Sequence, residues 1–257
     1  MLHDAVKTPF YFYEELAEIY DDMTHFSSRI ETEQMILQNL RKKFKFKTAL
    51  DTACGTGLHS ILLQKMGVET TGVDISQKML NRAKKNADRV GINLKWVLSS
   101  FQNLTQSLRQ TFDIIFCLGN SLPHVSNESQ LKDVLRQFYE LLNPQGVILL
   151  QLLNYHKILQ NRERIINITK QGQHEYVRFY DFFSKKIQFN ILYINWETNP
   201  PSHSLQSTIL YPYTKTELQQ ALEIAGFNHI SYLGDMQLSK FSEKKSRNLV
   251  VIGSKTA

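Results

Sequence analysis

Residues 48–74 read TALDTACGTGLHSILLQKMGVETTGVD, and this stretch decides the fold. A short apolar run, Ala49 and Leu50, passes through Asp51 into a glycine turn, Gly55-Thr56-Gly57. An amphipathic segment follows from Leu58 to Met66, and a second apolar run ends on an acid, Val73-Asp74. The order predicts strand, glycine loop, helix and strand, with a carboxylate at the tip of the second strand. Glycine lets the backbone turn sharply and lets a ligand lie against it without a Cβ between them. Asp74, where the second strand ends, is placed to accept hydrogen bonds from a ribose diol. The stretch reads as a nucleoside-binding half.

The nucleoside is narrowed by charge. A nicotinamide fingerprint asks for G-x-G-x-x-G, but the third glycine position is Ser60. Asp51 ends the first strand, where it would repel a pyrophosphate. S-adenosylmethionine (SAM) has no phosphate and carries a sulfonium and an ammonium, so the same acid attracts it. The run D-x-A-C-G-T-G (Asp51 to Gly57) followed by V-D (Val73-Asp74) resembles the first two motifs of class I SAM-dependent methyltransferases. That resemblance implies an α/β fold: a Rossmann-like sheet with helices on both faces and SAM as cofactor.

Composition bounds the broad class. The 257 residues allow one large domain or a domain with a sizeable insertion, and the 42% hydrophobic content is enough for a core. No apolar run approaches the ~18 residues that span a bilayer. The stretch MLHDAVKTPFYFYEELAEIYDD is aromatic and acidic rather than basic then apolar, so no secretory signal is expected. Cys54 and Cys117 are expected as free core thiols in a reducing compartment, and a cytoplasmic location follows. The formal net charge of +6 is scattered along the chain. Its densest patch, Arg41-Lys42-Lys43, lies where cations offset the end of a predicted helix. No nucleic-acid footprint and no membrane partner are therefore expected.

In chain order, residues 11–43 predict two helices, with Arg29 at the start of the second. From residue 48 to 154 the α/β alternation is regular. Ser76 is expected to cap a helix over 77–90, which ends at Gly91. Strands are expected at 94–98, 112–118 and 147–153, with Asn143-Pro144-Gln145-Gly146 ending the helix before the last. After residue 170 the pattern changes to alternating, aromatic-rich runs at 174–183, 187–196 and 205–211. They predict a three-stranded antiparallel cap. Thr214 is expected to cap a helix over 215–225, and two strands close the chain. The expected organisation is an N-terminal helical segment (1–47), a SAM-binding core (48–169), an antiparallel cap (170–213) and a C-terminal segment completing the core sheet (214–257).

A second, more specific motif follows the fourth strand. Cys117-Leu118-Gly119-Asn120-Ser121 with His124 resembles the C-L-G-N-S-x-x-H segment of glycine N-methyltransferases. Asn154-Tyr155, Tyr211-Pro212 ahead of T-x-x-E-L, and Leu233-Gly234-Asp235 agree with it. The likeness runs from about residue 20 to 238. It implies that Arg29 pairs with the methionine carboxylate of SAM, and that Tyr20, Asp51, Ala53, Gly55 and Gly57 surround its amino-acid end. Asp74 and Ile75 would hold the ribose. Met79, Ser100 and Phe101 would flank the adenine, and Leu118 and His124 would complete the pocket. Asn120 and Tyr211 would face the methyl acceptor.

One position departs from the family. Where glycine-specific members carry an arginine just ahead of Asn-Tyr, this chain has Leu153. Leucine offers a substrate carboxylate nothing polar. Glycine is then expected to be a poor acceptor, and a neutral or less polar amine a better one. The expected activity is N-methylation of a small-molecule amine. An O-methyltransferase and a non-catalytic SAM-binding protein are the alternatives. No metal-ligand cluster stands out and no general base is evident, so positioning is expected to supply most of the catalysis. A homo-oligomer is compatible with the sequence.

Overall fold

Strands and helices alternate through the middle of the chain, as the apolar pattern requires. The computed structural model describes residues 6–256, so the extreme ends of the first and last expected segments, residues 1–5 and 257, lie outside the described residues. The N-terminal segment forms α1 (Pro9–Leu16), α2 (Tyr20–Met23) and α3 (Phe26–Phe44), three helices where two were expected. The core continues with β1 (Thr48–Thr52), α4 (Leu58–Lys65), β2 (Glu69–Asp74), α5 (Gln77–Asp88), β3 (Lys95–Leu98) and α6 (Leu104–Ser107). Next come β4 (Phe112–Cys117), α7 (Glu128–Glu140), β5 (Leu142–Leu153) and α8 (Tyr155–Asn161). An antiparallel section, β6 (Ile165–Gln171), β7 (His174–Phe182), β8 (Ile187–Asn195) and β9 (Ser202–Leu210), precedes α9 (Lys215–Ala225), β10 (Asn228–Leu233) and β11 (Asn248–Ser254). No described helix is long and apolar enough to cross a membrane.

The larger sheet has the order β10-β11-β5-β4-β1-β2-β3. Neighbours from β3 through β5 run parallel, and β11 is antiparallel to both β5 and β10. Side chains alternate across it. In β4, Ile115 and Cys117 enter the cluster beneath α7 and α9, while Ile114 and Phe116 join the cluster beneath α3 and α4. Burial on both faces explains the continuous apolar run Ile114-Ile115-Phe116-Cys117 in β4. Residues 143–146 do not end a helix as expected but bulge within β5. Phe112 pairs with Leu142 and Ile114 with Val147, and Gln145 takes φ 64°. The bulge is held by Asn143, which donates to the carboxylate of Asp113 at 2.8 Å.

The cap sheet has four strands, because β6 pairs with β7 along its length. This edge strand, IINITKQ, is mostly exposed and was not expected as a strand. Phe12, Leu16 and Met23 of the N-terminal helices pack with Tyr176 and Ile191 of the cap and Met79 of α5 in one cluster. The helix caps follow the expected chemistry: the Ser76 hydroxyl accepts from Met79 N, and Thr214 with Glu217 forms a capping box. Cys54 and Cys117 are buried free thiols.

Candidate active site

Parallel register levels the strand ends. Thr52 pairs with Val73 on one side and Cys117 on the other, and Asp74 pairs with Leu98. The loops after β1, β2, β3 and β4 therefore open along one rim, where the strand order turns back between β1 and β4. A cavity of about 280 Å³ lies on this rim. Ala53, Gly55, Asp74, Ile75, Phe101 and His124 line it, with Tyr13 and Tyr20 from the N-terminal segment.

Asp74 anchors this cavity. One carboxylate oxygen accepts from Gly55 N at 2.8 Å, the other from Ser76 N at 2.9 Å. Burial raises its pKa to about 6, against those backbone hydrogen bonds and with a further push from Asp51. Each oxygen keeps a lone pair for a ligand hydroxyl. Gly55 has φ 55°, and a Cβ there would meet only the edge of the Tyr20 ring, at 3.6 Å, so its missing side chain leaves room on the wall. A buried acid beside an open backbone, with Phe101 on the far wall, fits the ribose and adenine of SAM. The residues present can hold that cofactor.

A second cavity, of about 390 Å³, lies beneath the cap sheet. Its polar groups include Asn120, Gln151, Asn167 and Arg178, and its apolar walls include Tyr180, Phe189 and Ile191. Tyr13, Tyr20 and His124 line both cavities and form the wall between them. The Tyr13 hydroxyl lies 2.8 Å from His124 Nε2. Burial lowers the His124 pKa to about 4, so its ring is neutral at physiological pH. Burial, helped by Tyr20 and Asp74, raises the Tyr13 phenol well above 10.

Several expected site residues stand elsewhere. The Arg29 guanidinium is engaged by Glu33 at 2.9 Å and is absent from both cavity walls. Asp51 is buried behind the cavity wall without lining it, and accepts from the Ser60 hydroxyl at 2.5 Å. Gly57 faces the protein, since a Cβ there would lie 2.7 Å from Trp96 and 3.0 Å from Ala83. Met79 sits in the cluster shared with the cap, and Leu118 packs beneath the sheet. Ser100 is off the wall, between its lining neighbours Ser99 and Phe101. Tyr211 donates its amide to Pro123 and stacks on Tyr213, outside the second cavity. Asn120 does line that cavity, although its amide is already engaged. It donates to Tyr155 Oη at 2.8 Å and accepts from Leu153 N at 2.9 Å.

Two groups escaped sequence reasoning. Tyr13 lies on α1, on a face left over once Phe12 and Leu16 take the core. Arg178 stands between Tyr176 and Tyr180 in β7, the inward row of an alternating strand. Both signals were present as periodicity.

Residues 49–146 match the family model of the methyltransferase domain. Over 227 residues the chain is 29% identical to a glycine/sarcosine N-methyltransferase of Aphanothece halophytica, covering 87% of this chain and 82% of the relative. In structure it resembles an S-adenosylmethionine-dependent methyltransferase from Clostridium acetobutylicum, with a TM-score of 0.81 at 18% identity over 95% of this chain and 99% of that one. It also resembles SAM-bound CalS10, an amino pentose methyltransferase from Micromonospora echinaspora, with a TM-score of 0.63 at 16% identity over 95% and 92% of the two chains. Residues 49–146 form a methyltransferase domain, and the fold is that of the class I, SAM-dependent methyltransferases. Within that class the chain is similar, along most of its length, to the glycine/sarcosine N-methyltransferases.

Proposed function

We propose that this methyltransferase N-methylates a small amine, with SAM in the cavity at Asp74 and the amine in the cavity beneath the cap. The observation that carries the reading is the shared wall: among the described residues, Tyr13, Tyr20 and His124 alone line both spaces. A donor and an acceptor site divided by three side chains suit a direct transfer between two small molecules. The similarity to a glycine/sarcosine N-methyltransferase supports nitrogen as the acceptor atom.

SAM supplies a methyl group on a sulfonium, whose bonding electrons return to sulfur when the methyl leaves. The protein's share is placement. Asp74 and the open backbone at Gly55 hold the nucleoside, while Asn120, fixed by Leu153 N and Tyr155, presents a rigid edge to the acceptor. Phe189, Ile191 and Leu210 exclude water from the acceptor side. An amine placed there is favoured in its neutral, nucleophilic form, because burial penalises the ammonium. Holding donor and acceptor in line supplies much of the rate. The test is S-adenosylhomocysteine release with a panel of amines and hydroxy compounds, and NMR of the product. N-methyl product supports the reading; O-methyl product, or none with SAM bound, contradicts it.

A further inference from the structure

We infer that Arg178 is the recognition element for the acceptor, and that the acceptor is an amine that also carries an anionic group, a carboxylate or a phosphate. The inference rests on the second cavity being the acceptor site.

Arg178 occupies the middle of β7, where the alternation puts it in one row with the buried Tyr176 and Tyr180. Ile191 faces it in register on β8. Its Nε donates to Asn167 Oδ1 at 2.7 Å, and its terminal nitrogens make no hydrogen bond among the described residues. The remaining fork of N–H donors is therefore free on the cavity wall, in the geometry that suits a carboxylate or phosphate.

No aspartate or glutamate lines this cavity, and Arg178 forms no ion pair among the described residues. Other arginines differ. Arg82 is paired with Asp21, Arg29 with Glu33 and Arg164 with Asp181. A partly buried guanidinium without a counter-ion is costly unless a ligand supplies the charge. Burial lowers the Arg178 pKa, the nearby Tyr20 and Tyr180 opposing it, which reports the same desolvation. A second cation, the exposed Arg247, stands on the same cavity. The positive charge absent at Leu153 thus comes from the cap strand instead. Leu153 lines the same space, so the expectation of a neutral acceptor, drawn from that residue alone, gives way.

The charge has a second effect. A guanidinium near the acceptor nitrogen disfavours its ammonium form, so the group that binds the anion also favours the reactive amine.

The experiment compares the parent protein with Arg178→Gln and Arg178→Lys on matched probes: glycine against glycinamide, and 2-aminoethylphosphonate against ethanolamine. Acetate and methylphosphonate are titrated separately, by calorimetry with S-adenosylhomocysteine present. The parent is expected to prefer the anionic member of at least one pair, and the pair identifies carboxylate or phosphate. Arg178→Gln is expected to raise KM for that member about tenfold or more, with little change for the neutral one. Arg178→Lys is expected to recover part of the loss, and SAM affinity to stay within about twofold of the parent. A parent that prefers the neutral members, or an Arg178→Gln variant equally impaired on both, overturns the inference. If no amine is methylated, the proposed function fails, and the titrations still decide the anion site. Binding lost in Arg178→Gln supports it, and equal binding or none in the parent overturns it.

Discussion

The hydroxyl of Tyr13 on α1 and Nε2 of His124, separated by 111 residues, lie 2.8 Å apart between the two cavities. The contact fastens the N-terminal helix to the loop after β4, so the wall of the site depends on a segment outside the sheet. Tyr13→Phe keeps the ring and removes the bond. It is expected to lower stability by about 1 kcal/mol in urea unfolding and to reduce turnover with SAM saturating. Unchanged stability and unchanged turnover would show that the wall does not need this tie.

Asp74 makes cofactor binding pH-dependent. Its folded pKa of about 6 lies above the ordinary carboxylate value, so the ligand-free protein carries a proton there that an unfolded chain releases at lower pH. Stability from this group is present below about pH 4 and declines as pH rises through 6. A nucleoside diol prefers the ionised acid, so SAM affinity should increase with pH up to about 6 and then level off. Asp74→Asn should abolish that dependence and weaken SAM binding by at least tenfold, and it should also lower the ligand-free melting temperature, because an amide keeps only one acceptor oxygen for the Gly55 and Ser76 N–H groups. Calorimetry from pH 5 to 8 checks this, and a flat affinity profile in the parent contradicts it.

The two glycines of the loop should behave differently. Gly55 faces the cavity and Gly57 faces Trp96 and Ala83. Both have positive φ, so alanine at either costs roughly 1–2 kcal/mol in backbone strain. Gly57→Ala adds a clash against packed side chains, a further 1–3 kcal/mol or so. The expected order of urea midpoints is parent, Gly55→Ala, then Gly57→Ala. The reverse order for the two variants would mean that Gly57 is not the packing residue.

The sheet was legible because its central strands β1, β2 and β4 are buried along most of their length and its helices carry ordinary caps, Ser76 and Thr214 among them. The rim was legible where one motif fixes backbone and side chain together, as with Gly55 and Asp74. It was not legible where direction decides. Gly57 shares the glycine motif yet packs under Trp96, and Met79 turns from the rim toward Phe12 and Tyr176. Arg29 lies in the expected place along the chain, but Glu33 one turn later takes its guanidinium. Tyr211 stands outside the second cavity, its amide held by the Pro123 carbonyl of a distant segment that the local pattern does not reveal. Arg178 needed the cap's register, which sets it opposite Ile191, before its lack of an ion-pair partner among the described residues was apparent.

The most direct measurement of the two-cavity arrangement is SAM affinity in two variants that each fill one space. Ser99→Trp puts an indole into the cavity at Asp74, and Leu153→Trp puts one into the cavity beneath the cap. The prediction is that Ser99→Trp loses SAM binding in calorimetry, while Leu153→Trp binds SAM within about threefold of the parent and loses methyl transfer. Normal SAM binding by Ser99→Trp, together with its loss in Leu153→Trp, would contradict the assignment of donor and acceptor sides.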